Sequence, residues 1–446
     1  MESRPRHTLC GQVFKIAAAP TVSAVVVLGV LGCSEGPRAS PPNAAPAAKA
    51  AAQAAPSVDV AKELMITDLS VVNDPARTGP GGAWSFGELF TRLHPGKDAR
   101  AEMRKWLLNW RDKQTINEDA IAARDTICTR VIEKWMRADG IIPTDPCTDE
   151  WLPNFANAPF RLLAIVNRID LALTPTGPVD PQLQAGEGRF VYCLTDGPAA
   201  NPRSAPKEFT VIFEFRLPAN SEGDRMAWAK AWHALGTVPF GGEYNAALNV
   251  ITDRFATANN LKQVRTNEIE LSTSWQLREF RLDPVTGSLA GVTAKVTPRD
   301  DMDGKRLLGD FVRENREAIL QFRHDIPERF KDQPFLAGAS VARFNGRWTV
   351  PGFANTEERF NLAFGTCNGC HTGETNTVFT HVKTRAADRA SELSAFLTGK
   401  GNSRDFKGQP FEDLDRRAKF LNDVLSGTGP EREPSDRERR MRIRVH

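Results

Sequence analysis

Chemistry concentrates in one short stretch, Thr366–Thr372, which reads TCNGCHT. Cys367 and Cys370 are three apart, so a helical turn sets both thiols on one side, and His371 follows directly. Thiols so spaced can each form a thioether to one of the two vinyl groups on an edge of a haem, and the adjoining imidazole then reaches the iron. C-x-x-C-H is therefore the pattern of one covalent haem c, with Cys367 and Cys370 holding it and His371 as the proximal iron ligand. The same residues admit other chemistry: a Cys367–Cys370 disulfide without haem, a zinc site made from Cys367, Cys370 and His381, or a His371 that only ends a helix. After His371 the only Met is Met441, near the end of the chain. The distal ligand thus falls to His381 (in VFTHVK), to an upstream His324 or His233, or to nothing. Two histidines favour electron transfer, whereas an open position permits small-molecule or peroxide chemistry.

With these residues the last fifth of the chain resembles the c-type cytochromes. Glu358–Phe364 (ERFNLAF) ahead of the motif is similar to the amphipathic first helix of that fold, and helices near 386–397 and 411–425 are expected to supply the rest. The resemblance implies electron transfer through the haem, with a redox partner protein. The chain as a whole also resembles large bacterial lipoproteins that end in a single CxxCH segment, a likeness that implies no activity and leaves the enzyme question open.

Covalent haem belongs to exported proteins, and the N-terminus fits export. Arg4, Arg6 and Lys15 precede an uncharged run from Ile16 to Leu31, too short and too interrupted by Pro20 to span a bilayer core of about 30 Å. Val30-Leu31-Gly32-Cys33 resembles the lipobox of bacterial lipoproteins. The resemblance implies a signal peptide over 1–32, a lipid on Cys33 that anchors the chain to a membrane, and, with Ser34 rather than Asp next, the outer membrane, with the body in the periplasm or at the cell surface. From Ser34 to about Pro56 the residues are nearly all Ala, Pro, Ser, Asn and Gly, so 33–60 reads as a flexible tether.

The net charge is +3, and loss of Arg4, Arg6, Lys15 and Glu2 with the signal peptide leaves +1. That is too little for a nucleic-acid partner, which calls for a strongly basic face. The charged end, 429–446, reads as a disordered tail. Of seven cysteines, Cys10 leaves with the signal peptide, Cys33 is lipidated and two belong to the motif. Cys128, Cys147 and Cys193 remain in an oxidising compartment, and a Cys128–Cys147 disulfide would clip a helix end to its following loop while Cys193 stays free.

The elements that position the motif belong to an α+β fold, with helices first, a mostly antiparallel sheet in the middle and a small helical C-terminal module. Helical periodicity covers 84–93, 99–112 and 118–138; short β-branched and aromatic runs at 161–169, 189–194 and 208–217 read as strands. Helices follow at 224–235 and 244–256, hairpins between 267 and 296, a helix over 305–321, and a turn at Asn345-Gly346. The expected body is 61–350 and the CxxCH module 351–428. Within the body, charged residues fall on strands that should be half buried: Arg168 and Asp170, Glu187 and Arg189, Glu268 and Glu270, Arg278 and Glu279. Such groups either pair in an internal ionic network, or Arg168 and Arg189 line a ligand pocket. Asp300–Gly304 is acidic but lacks the calcium-loop pattern, so it reads as a solvated loop.

Overall fold

Alternation along the strands sets the architecture. In Glu187–Thr195, Phe190, Tyr192 and Leu194 point one way and Arg189, Val191 and Cys193 the other, as the two-residue period of a strand requires. The next strand repeats this, with Phe209, Val211, Phe213 and Phe215 against Thr210, Ile212 and Glu214. One sheet thus has an aromatic face and a charged face, and both are buried.

The computed structural model describes residues 57–172, 185–342 and 347–427. The expected signal peptide, Cys33, almost all of the tether, the Asn345-Gly346 turn and the 429–446 tail lie outside the described residues. The sheet has eight strands: β1 (Met65–Ile66), β2 (Phe160–Arg168), β3 (Glu187–Thr195), β4 (Pro206–Arg216), β5 (Leu261–Glu268), β6 (Gln276–Leu282), β7 (Leu289–Val292) and β8 (Ser340–Val341). They run in the order β1-β2-β3-β4-β5-β6-β8, with β7 also paired to β6, and every pairing is antiparallel. Helices precede, interrupt and follow the sheet, and the class is α+β.

The helices that bear on the site and its supports are α1 (Phe86–Arg92), α2 (Ala99–Leu107), α3 (Glu133–Ala138), α4 (Glu222–Ala234), α5 (Gly242–Asp253), α6 (Arg306–Glu314), α7 (Arg316–Leu320), α8 (Glu357–Gly365), α9 (Cys367–His371), α10 (Ala395–Thr398) and α11 (Asp413–Leu425), besides other helices of a single turn. Side chains cap several starts: Ser85 accepts from the Glu88 amide, Asp98 from Arg100, Ser221 from Asp224 and Thr356 from Arg359. Among the described residues no helix is long and apolar enough to cross a membrane.

The helices α1, α2, α4 and α5 cover the aromatic face. Phe86 stacks on Phe160 with ring centres 4.0 Å apart and meets Tyr192 edge-on, while Trp106 and Trp110 close on Phe280. The C-terminal residues cover the charged face. Phe360, Phe364, Phe396 and Phe411 share one apolar cluster with Leu163, Val166, Val191 and Trp275 of the sheet side, and all the described residues fall in one compact unit.

Three helical expectations end differently. The 118–138 helix begins only at Cys128; before it Gln114–Ile116 and Asp119–Ile121 form a hairpin, because Asn117 and Glu118 both take positive φ, 50° and 58°, as a two-residue turn demands. The 305–321 helix is broken at Asn315. The stretch 386–394 is irregular, pinned by a bridge between Val382 and Leu393, and helix appears there only in α10. Cys128 and Cys147 are joined by a disulfide, with Cα atoms 5.3 Å apart, and Cys193 is a buried free thiol.

Candidate functional site

The motif helix is held by its own neighbours. The Thr366 hydroxyl accepts from the Gly369 amide and donates to the Ala363 carbonyl at 2.6 Å, stitching α9 onto the end of α8. Only glycine fits at 369, since a Cβ there would lie 1.8 Å from the Ala363 carbonyl oxygen. Trp348 donates to the Asn368 side chain at 3.0 Å, and Asn368 donates in turn to the Val341 carbonyl of β8 at 2.9 Å. The helix is thereby fixed at the sheet edge, with the motif buried over the charged face.

Burial governs the ionisation of the motif. It pushes the Cys367 thiol up to about 12 and the Cys370 thiol well above the ordinary range, so both are protonated at neutral pH. The two sulfurs are not bonded to each other. Burial also pulls His371 down to about 4 and His381 well below its usual value. Both imidazoles are neutral. His371 Nδ1 meets the Phe379 carbonyl at 2.5 Å, which requires the proton on Nδ1 and leaves the ring's lone pair on Nε2. His381 Nδ1 lies 2.9 Å from the Ser394 hydroxyl, and its Nε2 lies 3.5 Å from Cys370 Sγ. A hydrogen bond at Nδ1 that orients the ring is the usual outer support of a metal-binding histidine.

The two rings face each other, centres 4.7 Å apart and planes inclined by 55°. Trp275 also stacks on His371, at 5.3 Å, and donates its indole N–H to Asn267 at 3.2 Å. At this separation the rings are too close to hold an iron between them, so His381 would have to move to serve as a second ligand beside His371.

His371 and His381 line one cavity with Arg168 and Arg189, so the two groups of residues singled out in the sequence converge there. The cavity measures about 60 Å³, room for a few waters, and it would have to open to admit a haem. Met65, Val166, Val191, Ile212, Val382, Phe396 and Leu397 give it apolar walls. Phe360 and Phe364 stand behind Phe396, not on the wall. Neither motif sulfur lines the space: Cys370 borders it through His381, while Cys367 Sγ faces the Lys295 carbonyl at 3.5 Å.

Its floor is the charged face, and there Arg168 and Arg189 are paired. Arg168 forks onto Asp170 at 2.9 and 3.1 Å, and Arg416 reaches the same carboxylate at 2.7 Å. Burial alone would raise the pKa of Asp170, but Arg168, Arg416 and Arg417 hold it well below the usual range. Arg189 contacts Glu187 and, directly across the ladder, Glu214 at 3.2 Å. Glu214 also pairs Arg265, which pairs Glu279 at 3.1 Å, and Lys262 binds Glu187. This is an ionic network and a cavity floor at once, so the two readings of Arg168 and Arg189 meet in one object.

Sequence reasoning missed Arg417. It lines the cavity and touches Asp413 through one guanidinium nitrogen at 2.5 Å, while its Nε and its other terminal nitrogen are buried without a hydrogen-bond partner among the described residues. Burial, and the neighbouring Arg168, pull it down to about 10. The sequence signal was only Asp413 and Arg417 at i, i+4, which is ordinary for a helix surface.

Other candidates lie elsewhere. His233 binds Glu63 at 2.8 Å, away from the cavity. His324 sits against Gly365 with both ring nitrogens unpartnered among the described residues, but it does not line the cavity. Asp301 pairs with Arg299 and Lys305. Among the described residues no three His, Cys, Asp or Glu side chains gather as a metal-ion group, whereas a haem iron needs only its two axial ligands. Compared with models of known families, with curated proteins and with solved structures, the chain matches none.

Proposed function

We propose that this chain is an exported, lipid-anchored c-type haem protein that transfers electrons through one haem held by Cys367 and Cys370. The observation that carries the reading is the pair His371 and His381: both neutral, both supported at Nδ1, both on one narrow apolar cavity that ends in arginines. Haem supplies one-electron redox chemistry when bound. The chain's own residues do the rest. His371 offers Nε2 as proximal ligand, Phe379 fixes its tautomer, and Trp275 limits its tilt. His381, released from Cys370, is the distal candidate. The apolar walls exclude water, which favours transfer to a redox partner protein over ligand chemistry at the iron. Lipid on Cys33 would hold the body at the outer membrane.

The test is an absorption spectrum, oxidised and reduced, of the full chain made in a host competent for c-type maturation. A six-coordinate c-type spectrum that becomes five-coordinate in His381→Ala, with haem retained, is the expected result. A chain that remains colourless overturns the reading. Cys33→Ala should move the protein from the membrane fraction to the soluble one, and unchanged retention would count against the anchor.

A second reading is a haem-free binding lipoprotein whose ligand enters the same cavity. The position of Cys367 Sγ, turned to the Lys295 carbonyl and away from the cavity, favours it.

A further inference from the structure

A second cavity, at the β1 end of the sheet, carries an inference of its own. β1 reaches β2 only at Ile165 and Val166. Nearer its start, β2 borders a cleft lined by Phe160, Arg161 and Leu162, with Pro75, Pro202 and Ala387 as further walls. The cleft measures about 420 Å³, room for a small organic molecule, against about 60 Å³ beside His371. Arg161 is 4% exposed. Its Nη1 donates to the Arg385 carbonyl at 3.3 Å and its Nη2 to the Asn201 and Ser204 carbonyls at 3.1 and 3.0 Å, while its Nε has no hydrogen-bond partner among the described residues. Arg385, buried beside it, donates to Asn73 and to the Leu162 carbonyl. The other buried arginines, Arg124, Arg168, Arg189, Arg265, Arg278 and Arg417, each have a carboxylate within 4 Å. Among the described residues Arg161 and Arg385 have none. Asp196, whose charge Arg161 feels, is exposed and pairs with Lys207 at 3.9 Å. The Cys193 thiol nearby, pushed up to about 11 by burial, is neutral. Carbonyl oxygens satisfy N–H donors but do not neutralise charge, so two adjacent buried guanidiniums without an anion are costly.

We infer that this cleft binds a small monocarboxylic acid, its carboxylate on Arg161 and its apolar body against the proline and alanine walls. The carboxylate supplies the missing counter-charge and accepts a charge-assisted hydrogen bond from the one guanidinium. Asp388, an exposed acid on the same cleft, repels a second acidic group, which restricts the ligand to one. The cleft is separate from the cavity of His371 and His381, and the inference stands with or without haem.

The experiment uses the full chain and matches each acid with its uncharged amide. Calorimetry compares hexanoate with hexanamide, and 3-phenylpropionate with 3-phenylpropanamide, for the wild type, Arg161→Gln and Ala200→Trp. Ala200 is exposed on the cleft wall, so a tryptophan there fills the cleft without disturbing the core. The expected result is a preference of about tenfold or more for the acid in at least one pair, in line with the strength of charge-assisted hydrogen bonds. Arg161→Gln should abolish the preference, and Ala200→Trp should abolish binding. Equal binding of acid and amide in both pairs, or no binding of any of the four, overturns the inference. So does an acid preference that Ala200→Trp leaves unchanged, since the acid then binds elsewhere. Arg161 also holds the Asn201–Ser204 loop; if Arg161→Gln does not fold, the wild type and Ala200→Trp decide the matter.

Discussion

The two faces of the sheet use the same strands for opposite purposes. On one, Phe190, Tyr192, Phe209, Phe213 and Phe215 interlock with Phe86, Trp106 and Trp110, and every ring is out of water. On the other, Arg189 stands across from Glu214 and Arg265 across from Glu279, just as deeply buried. Apolar burial is favourable in itself, whereas a buried ion pair at best offsets the cost of dehydrating its members. The aromatic face therefore stabilises the fold. The charged face spends stability on a polar floor beneath a cavity, which is the pattern expected where a ligand is to be held.

Substitution on each face sharpens the contrast. Phe213→Ala should destabilise by about 3–5 kcal/mol through lost burial and a cavity, and Phe213→Leu should recover much of that. Glu214→Leu should cost about as much, 3–5 kcal/mol, for a different reason: it leaves the buried Arg189 and Arg265 each short of a carboxylate. Chemical denaturation measures both. The faces separate in the double variants, because removing Arg265 and Glu279 together should cost clearly less than the sum of the single changes, while Phe213→Ala and Trp106→Ala should nearly add. Near-additivity in the ionic pair would mean the network is not coupled.

The Cys128–Cys147 disulfide closes a loop of modest length, and Cys147 belongs to the core that covers the aromatic face. Cys147→Ala should lower stability by about 3 kcal/mol, mostly by freeing the unfolded chain, with the cavity undisturbed. An unchanged stability would show that the disulfide does not constrain the unfolded chain.

An effect of similar size is acid sensitivity from the charged side. His371 is neutral in the fold with its pKa pulled down to about 4, against about 6.5 when unfolded. Between those values only the unfolded chain takes up the proton. The haem-free protein should thus keep full stability above about pH 6.5 and lose about 1.4 kcal/mol per pH unit for this residue as pH falls towards 4. His371→Gln should lower that slope by about this amount and leave the share of His324 and His381, which burial also keeps neutral, and an unchanged slope would show that His371 is not buried neutral. Below that window Asp170, whose pKa is depressed, adds a further loss as it is protonated.

Much of the strand pattern was legible because both faces are buried and alternate cleanly; β3 and β4 fall within about two residues of their expected bounds. The failures are local. Asn117-Glu118 lacks the Gly that marks a two-residue turn, so a helix was read through a hairpin. The motif histidines and the arginines could each be named from type and spacing, but their meeting in one cavity depends on the C-terminal residues lying across the sheet, which no local pattern encodes. Arg417 was hidden for the same reason: on its own helix it is one more i, i+4 partner, and only the fold removes water from it.

Whether Cys367 and Cys370 hold haem is read from the intact mass and colour of the denatured full chain from a maturation-competent host. The expected result is the mass of one haem added to the processed chain, haem that stays with the unfolded polypeptide, and loss of that attachment when Cys367→Ser and Cys370→Ser are combined. An unmodified chain, with both thiols open to alkylation or joined in a disulfide, would contradict it.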